Sequence, residues 1–148
     1  MKTAIIGLPM VGKTSLFTIL TGVHESARVG VMEARVGVAK VPDERLDALA
    51  AIFDPPKITQ AVVEYFDFPA ISKEALRDPS YLASMRVADA LAHVLRCFKS
   101  DTVPHEKGDV DTLRDMLDVD LELILSDLVV VEKRMERVEK YRKKAKTP

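Results

Sequence analysis

One cysteine, Cys97, stands in a chain of 148 residues. No internal disulfide framework can therefore form, and a reducing cytosol is the simplest compartment. The chain lacks any apolar run long enough to span a bilayer and shows no signal-peptide pattern, so neither a membrane nor an export route is expected. It also lacks a strong overall charge: the net value of −1 gives no general attraction to nucleic acid or lipid. Metal-ligand spacing is missing too, because His24, His93 and His105 lie far apart and form no pattern with Cys97. Cys97 reads as a core filler with no base close in sequence, and His93 as a hydrogen-bonded core histidine. No internal repeat or low-complexity tract stands out. What remains is 47% apolar and 30% charged residues, enough for about one globular domain with a real core.

Against that background, Gly7-Leu8-Pro9-Met10-Val11-Gly12-Lys13-Thr14 matches G-x-x-x-x-G-K-[ST], the phosphate loop of nucleoside triphosphatases. The context fits, since Thr3 to Ile6 reads as a short buried strand and Thr14 to Leu20 opens an amphipathic helix. Glycines let the backbone curl so that its amides face phosphate oxygens, and the helix N-terminus adds partial positive charge. Lys13 is expected to reach the β- and γ-phosphates and the Thr14 hydroxyl to bind Mg²⁺. The acid such a site needs on a neighbouring strand is Asp67, directly after the β-branched and aromatic run Ala61–Phe66.

Other segments alternate between strand and helix. Gly22 to Met32 reads as a loop where a nucleotide-sensing switch would lie, with approach of His24 to the nucleotide as the lesser reading. Glu33–Val41 reads as a strand. A helix follows, capped by Asp43, with Leu46, Leu49, Ala50 and Phe53 on one face, and Asp54-Pro55-Pro56 ends it. Tyr81–Val87 reads as a short helix and Ala90–Phe98 as a buried parallel strand. This order predicts an α/β fold, a mostly parallel sheet flanked by helices.

From about Asp111 the character changes. Leu117, Leu121, Ile124, Leu128, Val131, Met135 and Val138 recur at steps of four and three, a coiled-coil seam that needs a partner; its apolar first half is expected to pack on the sheet. Residues 132–148 carry eight Lys/Arg against three Glu, a local +5 that leaves −6 for the rest. This basic stretch suits either a solvated helix face or contact with RNA phosphates, although Tyr141 is its sole aromatic residue.

At this point a resemblance becomes specific. GLPMVGKTSLFTILTG, EARVGVAKVPDERLDAL, VVEYFDFPAI and ADALAHVLRCFKSD resemble the YchF-type Obg-like ATPases, a translation-factor-related class of P-loop GTPases. The resemblance implies an incomplete G domain over residues 1–118 and the first arm of a coiled-coil insertion over 119–148. It implies a preference for ATP over GTP, cytoplasmic location and ribosome association. It also implies a phosphate cradle of Gly7, Pro9, Met10, Val11, Gly12, Lys13, Thr14 and Ser15, with Mg²⁺ on the side of Asp67. Ile71 aligns where typical GTPases carry a water-orienting glutamine, which implies slow turnover.

Four positions depart from the family pattern. Met10 replaces an asparagine, Val31 replaces the switch threonine, Ala70 replaces the glycine of the DxxG-type motif, and the second switch, Ser72–Pro79, has no glycine. Binding of Mg²⁺–ATP or GTP with slow hydrolysis is therefore one expectation. A degenerate module that holds nucleotide without hydrolysing it, acting through the helical arm, is the alternative. A small-acceptor kinase is the weakest reading, since no lid or acceptor segment is visible. An uncovered sheet edge and the helical arm are expected sites of self-association.

Overall fold

The computed structural model describes residues 1–24, 34–72, 75 and 78–145. Its elements are β1 (Lys2–Ile6), α1 (Lys13–Thr21), β2 (Arg35–Lys40), α2 (Glu44–Phe53), β3 (Val62–Asp67), α3 (Pro79–Met85), β4 (Ala90–His93) and α4 (Thr112–Ala145). The sheet order is β2-β3-β1-β4. β1 runs parallel to both β3 and β4, and β2 pairs antiparallel with β3. The mostly parallel α/β architecture expected from the alternation is present, with β4 as one edge.

Sheet periodicity separates two packed faces. Ala4 and Ile6 share a core with Phe68, Ile71, Ala75, Tyr81, Met85 and Val119, which brings α3 and the first turns of α4 onto one face. On the other, α1 crosses β1, β2 and β3, and Phe17 is fully buried. Short side-chain caps set the helix starts. The Asp43 carboxylate accepts from the Arg45 amide at 3.0 Å, as expected for α2, and Asp78 accepts from the Ser80 amide at 2.8 Å to begin α3.

Three expectations are corrected. β4 ends at His93, not Phe98, because the chain leaves the sheet and Arg96 turns inward. Its guanidinium donates to the carbonyls of Phe98, Val103 and Pro104 at 2.8–3.2 Å and folds the long loop on itself, while its own carbonyl accepts from the Thr112 hydroxyl at the start of α4 at 3.2 Å. The neighbouring Cys97 is consequently exposed and fills no core. His93 is not hydrogen-bonded as expected: its Nε2 is buried without a partner among the described residues.

The two outlying helices also differ from a simple amphipathic reading. α2 forms where expected, yet it buries no residue, and Leu49, Ile52 and Phe53 remain exposed. α4 docks through Val119 and Leu123, while the seam residues Leu117, Leu121, Ile124, Leu128, Val131, Met135 and Val138 are all exposed. The docking point is secured by His105, whose Nε2 lies 2.8 Å from Oδ2 of the buried Asp115. Arg114 donates to the other oxygen of Asp115 and to Asp109, closing the network around the helix start.

Candidate functional site

The loop between β1 and α1 crosses the carboxyl ends of the parallel strands, where ligands bind in open α/β sheets. Gly7 leaves β1 with φ +147°, and a Cβ there would come within 2.5 Å of the Val94 carbonyl oxygen. Only glycine allows the loop to start so close to the end of β4. The loop is tied on its other side by the Ile71 amide, which donates to the Gly7 carbonyl at 3.1 Å. Met10 takes φ 56°, a left-handed conformation unusual for a long side chain, and is exposed at the tip. Gly12 caps α1 with φ 101° and no side-chain cap, so the first amides of α1 rely on a partner other than a capping side chain.

Lys13 begins α1 but is only 8% exposed, and its Nζ donates to the Leu8 carbonyl at 2.7 Å. Burial lowers its pKa from the ordinary lysine value, and the charge of Asp67 opposes that shift. An ammonium held over the loop by a backbone carbonyl is placed to exchange that weak partner for a phosphate oxygen. Thr14 follows on the same helical turn. Its Oγ1 donates to Oδ2 of Asp67 at 3.0 Å, joining residues 53 positions apart in sequence. Asp67 ends β3 and is buried.

The turn after Asp67 is fixed by packing. The Phe68 ring meets Tyr81 edge-on at a centroid distance of 5.6 Å, and the Tyr81 hydroxyl donates to the Pro69 carbonyl at 3.2 Å. Burial pushes the Tyr81 phenol up to about 12. Ile71 is 3% exposed and belongs to the core cluster against which Leu8 of the loop packs. A cleft of about 490 Å³ adjoins Leu8 and Ile71, with Lys107, Asp118 and Glu122 among its walls. His24 is exposed, within the described start of the first switch loop; Val31 and half of the second switch (73, 74, 76 and 77) lie outside the described residues.

One member of the site is absent from the sequence reading. Arg35, the first residue of β2, is ion-paired with Asp67 Oδ2, and its Nη2 lies 2.9 Å from Thr14 Oγ1. The antiparallel register sets Arg35 directly opposite Asp67. The signal was available in principle, as a basic residue opening a strand beside the strand that carries the acid, but register is invisible in the chain alone. Thr14 and Asp67 form the oxygen pair expected to hold Mg²⁺. In this structure the cation between them is the guanidinium, so a metal ion does not fit there without displacing Arg35. Among the described residues no other group of His, Cys, Asp and Glu could hold a metal ion.

A lysine-bearing glycine loop, a helix start and a buried strand-end aspartate on a mostly parallel sheet define a nucleotide-binding domain of the P-loop GTPase fold. Comparison with known proteins makes the assignment narrower: the chain belongs to the 50S ribosome-binding GTPase family, whose model matches residues 2–147. It is 37% identical over 150 residues to the ribosome-binding ATPase YchF of Bacillus subtilis, covering 97% of this chain and 41% of that protein. The YchF of Haemophilus influenzae is 38% identical, over 96% of this chain and 41% of its own length. The chain thus spans about two fifths of the length of the curated relatives it matches. The solved YchF GTPase of Schizosaccharomyces pombe superposes with a TM-score of 0.68 at 28% identity, over 95% of this chain and 39% of that one.

Proposed function

We propose that this chain binds a nucleoside triphosphate, ATP or GTP, through Gly7 to Ser15 and acts with the ribosome in the cytoplasm. The observation that carries the reading is the convergence of Lys13, Thr14 and Asp67 behind a loop that only glycine can start. The tail of the nucleotide would lie along the loop amides, with Lys13 moving from the Leu8 carbonyl to the terminal phosphates. That move favours the charged lysine, since an anion offsets the burial that depresses it. Thr14 and Asp67, the oxygen pair expected to hold Mg²⁺, would instead be bridged by the Arg35 guanidinium, which leaves Lys13 as the direct partner of the phosphates.

Lys13 and Thr14 are the residues on which slow hydrolysis would depend. The second reading, a module that holds nucleotide without turning it over, is favoured by two observations. Ile71 is packed into the core, and Arg35 stands between the two oxygens a metal would need. Partners would be engaged through the basic helix 132–148, toward ribosomal RNA, and self-association would use the exposed α4 seam or the β4 edge.

Calorimetry with ATP and GTP tests the binding. Lys13→Ala is expected to weaken affinity by roughly 10- to 100-fold, the worth of a charge-assisted hydrogen bond, without loss of fold. Absence of heat with either nucleotide would end the reading. Phosphate release with and without ribosomes then separates the two modes: turnover that Lys13→Ala abolishes belongs to the enzyme, and tight binding without release to the module. Size-exclusion chromatography showing only monomer would remove the self-association.

A further inference from the structure

Arg35 is held by three independent features. Its guanidinium is paired with a carboxylate whose side chain is 4% exposed, lies in contact distance of the Thr14 hydroxyl, and sits 5.3 Å above the centroid of the Phe17 ring. Phe17 reaches that place because α1 packs tightly on β2 at Gly37. A Cβ on Gly37 would lie 2.7 Å from Thr21 and 2.9 Å from the Phe17 ring. The arginine is therefore positioned by sheet register and helix packing, not by a loop. It is a permanent cation, whereas a bound divalent ion comes and goes with its concentration.

We propose that Arg35 is the resident cation of the site, standing where a divalent ion would otherwise sit, so that this chain takes up the nucleotide tail without requiring Mg²⁺. The claim rests on the nucleotide-binding reading above and deepens it. Asp67 in this arrangement serves to hold Arg35, and Thr14 is a shared partner of both, so a divalent ion gains the site only by displacing the guanidinium from a buried carboxylate. Displacing it would part the guanidinium from its carboxylate, hydroxyl and ring contacts at once. A nucleotide arriving as the metal-free polyanion meets Lys13 and Arg35 as two fixed positive charges flanking its phosphates.

The test is calorimetric titration of the full chain with ATP and with GTP, in excess Mg²⁺ and in EDTA, for the wild type, Arg35→Gln and Arg35→Lys. Wild-type affinity is expected to change by less than about threefold between the two media. Arg35→Gln is expected to lose about tenfold or more in EDTA and to recover in Mg²⁺, the neutral amide having vacated the position for the ion. Arg35→Lys, which keeps the charge, should stay largely insensitive to EDTA. A second readout uses no nucleotide: Mn²⁺ titration followed by electron paramagnetic resonance should detect binding to Arg35→Gln and none to the wild type.

A wild type that loses about tenfold or more in EDTA would overturn the proposal while leaving nucleotide binding intact. Mn²⁺ binding to the nucleotide-free wild type would overturn it as well. No heat with either nucleotide in either medium would instead remove the underlying reading, and the proposal with it. Because the wild-type comparison needs no substitution, the test survives a variant that fails to fold.

Discussion

Lys13 and Met135 both lie on helices, yet the lysine is 8% exposed and the methionine 59%. Polarity alone predicts the reverse order. The lysine is buried because the loop just before it curls back over its side chain and the aspartate that ends β3 comes up beside it from 54 residues further along. The methionine is exposed because the distal part of α4 runs past the core, where none of the described residues covers it. Burial of charge at one end and exposure of apolar surface at the other separate the two regions: the loop is charged and enclosed, the arm apolar and uncovered among the described residues.

Substitutions can break that contrast. The largest effect is expected at Gly7→Ala, whose new methyl group would press on the Val94 carbonyl from a left-handed backbone. A loss of about 3 kcal/mol or more is expected, read as a collapse of the denaturant midpoint. If Gly7→Ala unfolds at the wild-type midpoint, the loop is not packed against the end of β4 as described.

Within α4 the contrast can be measured along one helix. Val119→Ala should cost about 1–2 kcal/mol, since Val119 is 1% exposed within the shared core. Met135→Ala should stay within about 0.5 kcal/mol in the isolated chain. Equal costs would mean that the distal arm is covered in solution, and a concentration-dependent Tm for the wild type would then identify a second copy as the cover.

Met10→Asn should stabilise the chain by up to about 1 kcal/mol, because asparagine tolerates the positive φ of Met10 better and the exposed methionine packs on little. A lower Tm for this variant would show that the methionine contributes contacts that outweigh its backbone strain.

The smallest effect concerns acid. Burial holds the His93 imidazole below its usual value, with the charge of Asp120 opposing the shift. The folded state then binds fewer protons than the unfolded chain as pH falls through about 6.5, so stability is fullest above that value and declines below it. Thermal unfolding between about pH 7.5 and about pH 5.5 should show that slope, and His93→Leu should flatten it. An unchanged slope would move the acid sensitivity to another group.

The loop and its strand-helix setting were legible because their signal is local: glycine at fixed offsets, lysine and hydroxyl at the helix start, apolar strand before and amphipathic helix after. Asp67 was legible for the same reason, as the polar residue that ends a β-branched run. α4 could be read from its period, which also named a seam. The seam turned out to face away from the core, since contact with the sheet uses Val119 and Leu123, set by the angle at which α4 leaves the His105–Asp115 network. Period reports that a stripe exists, not which surface receives it. The error at Cys97 and Arg96 has a similar origin: an apolar run looks like a continuing strand until a buried arginine finds three carbonyls in the following loop.

What the chain determines by itself is therefore the class of ligand, the loop that meets it and the order of strands and helices, all encoded within a few neighbouring residues. What only the tertiary structure decided is the cation that faces Asp67. Arg35 and Asp67 lie 32 residues apart and meet through antiparallel register and the close approach of α1 at Gly37. Pairing across a sheet is a property of the whole fold, because a one-residue slip of β2 would turn Arg35 to the opposite face with no change in sequence.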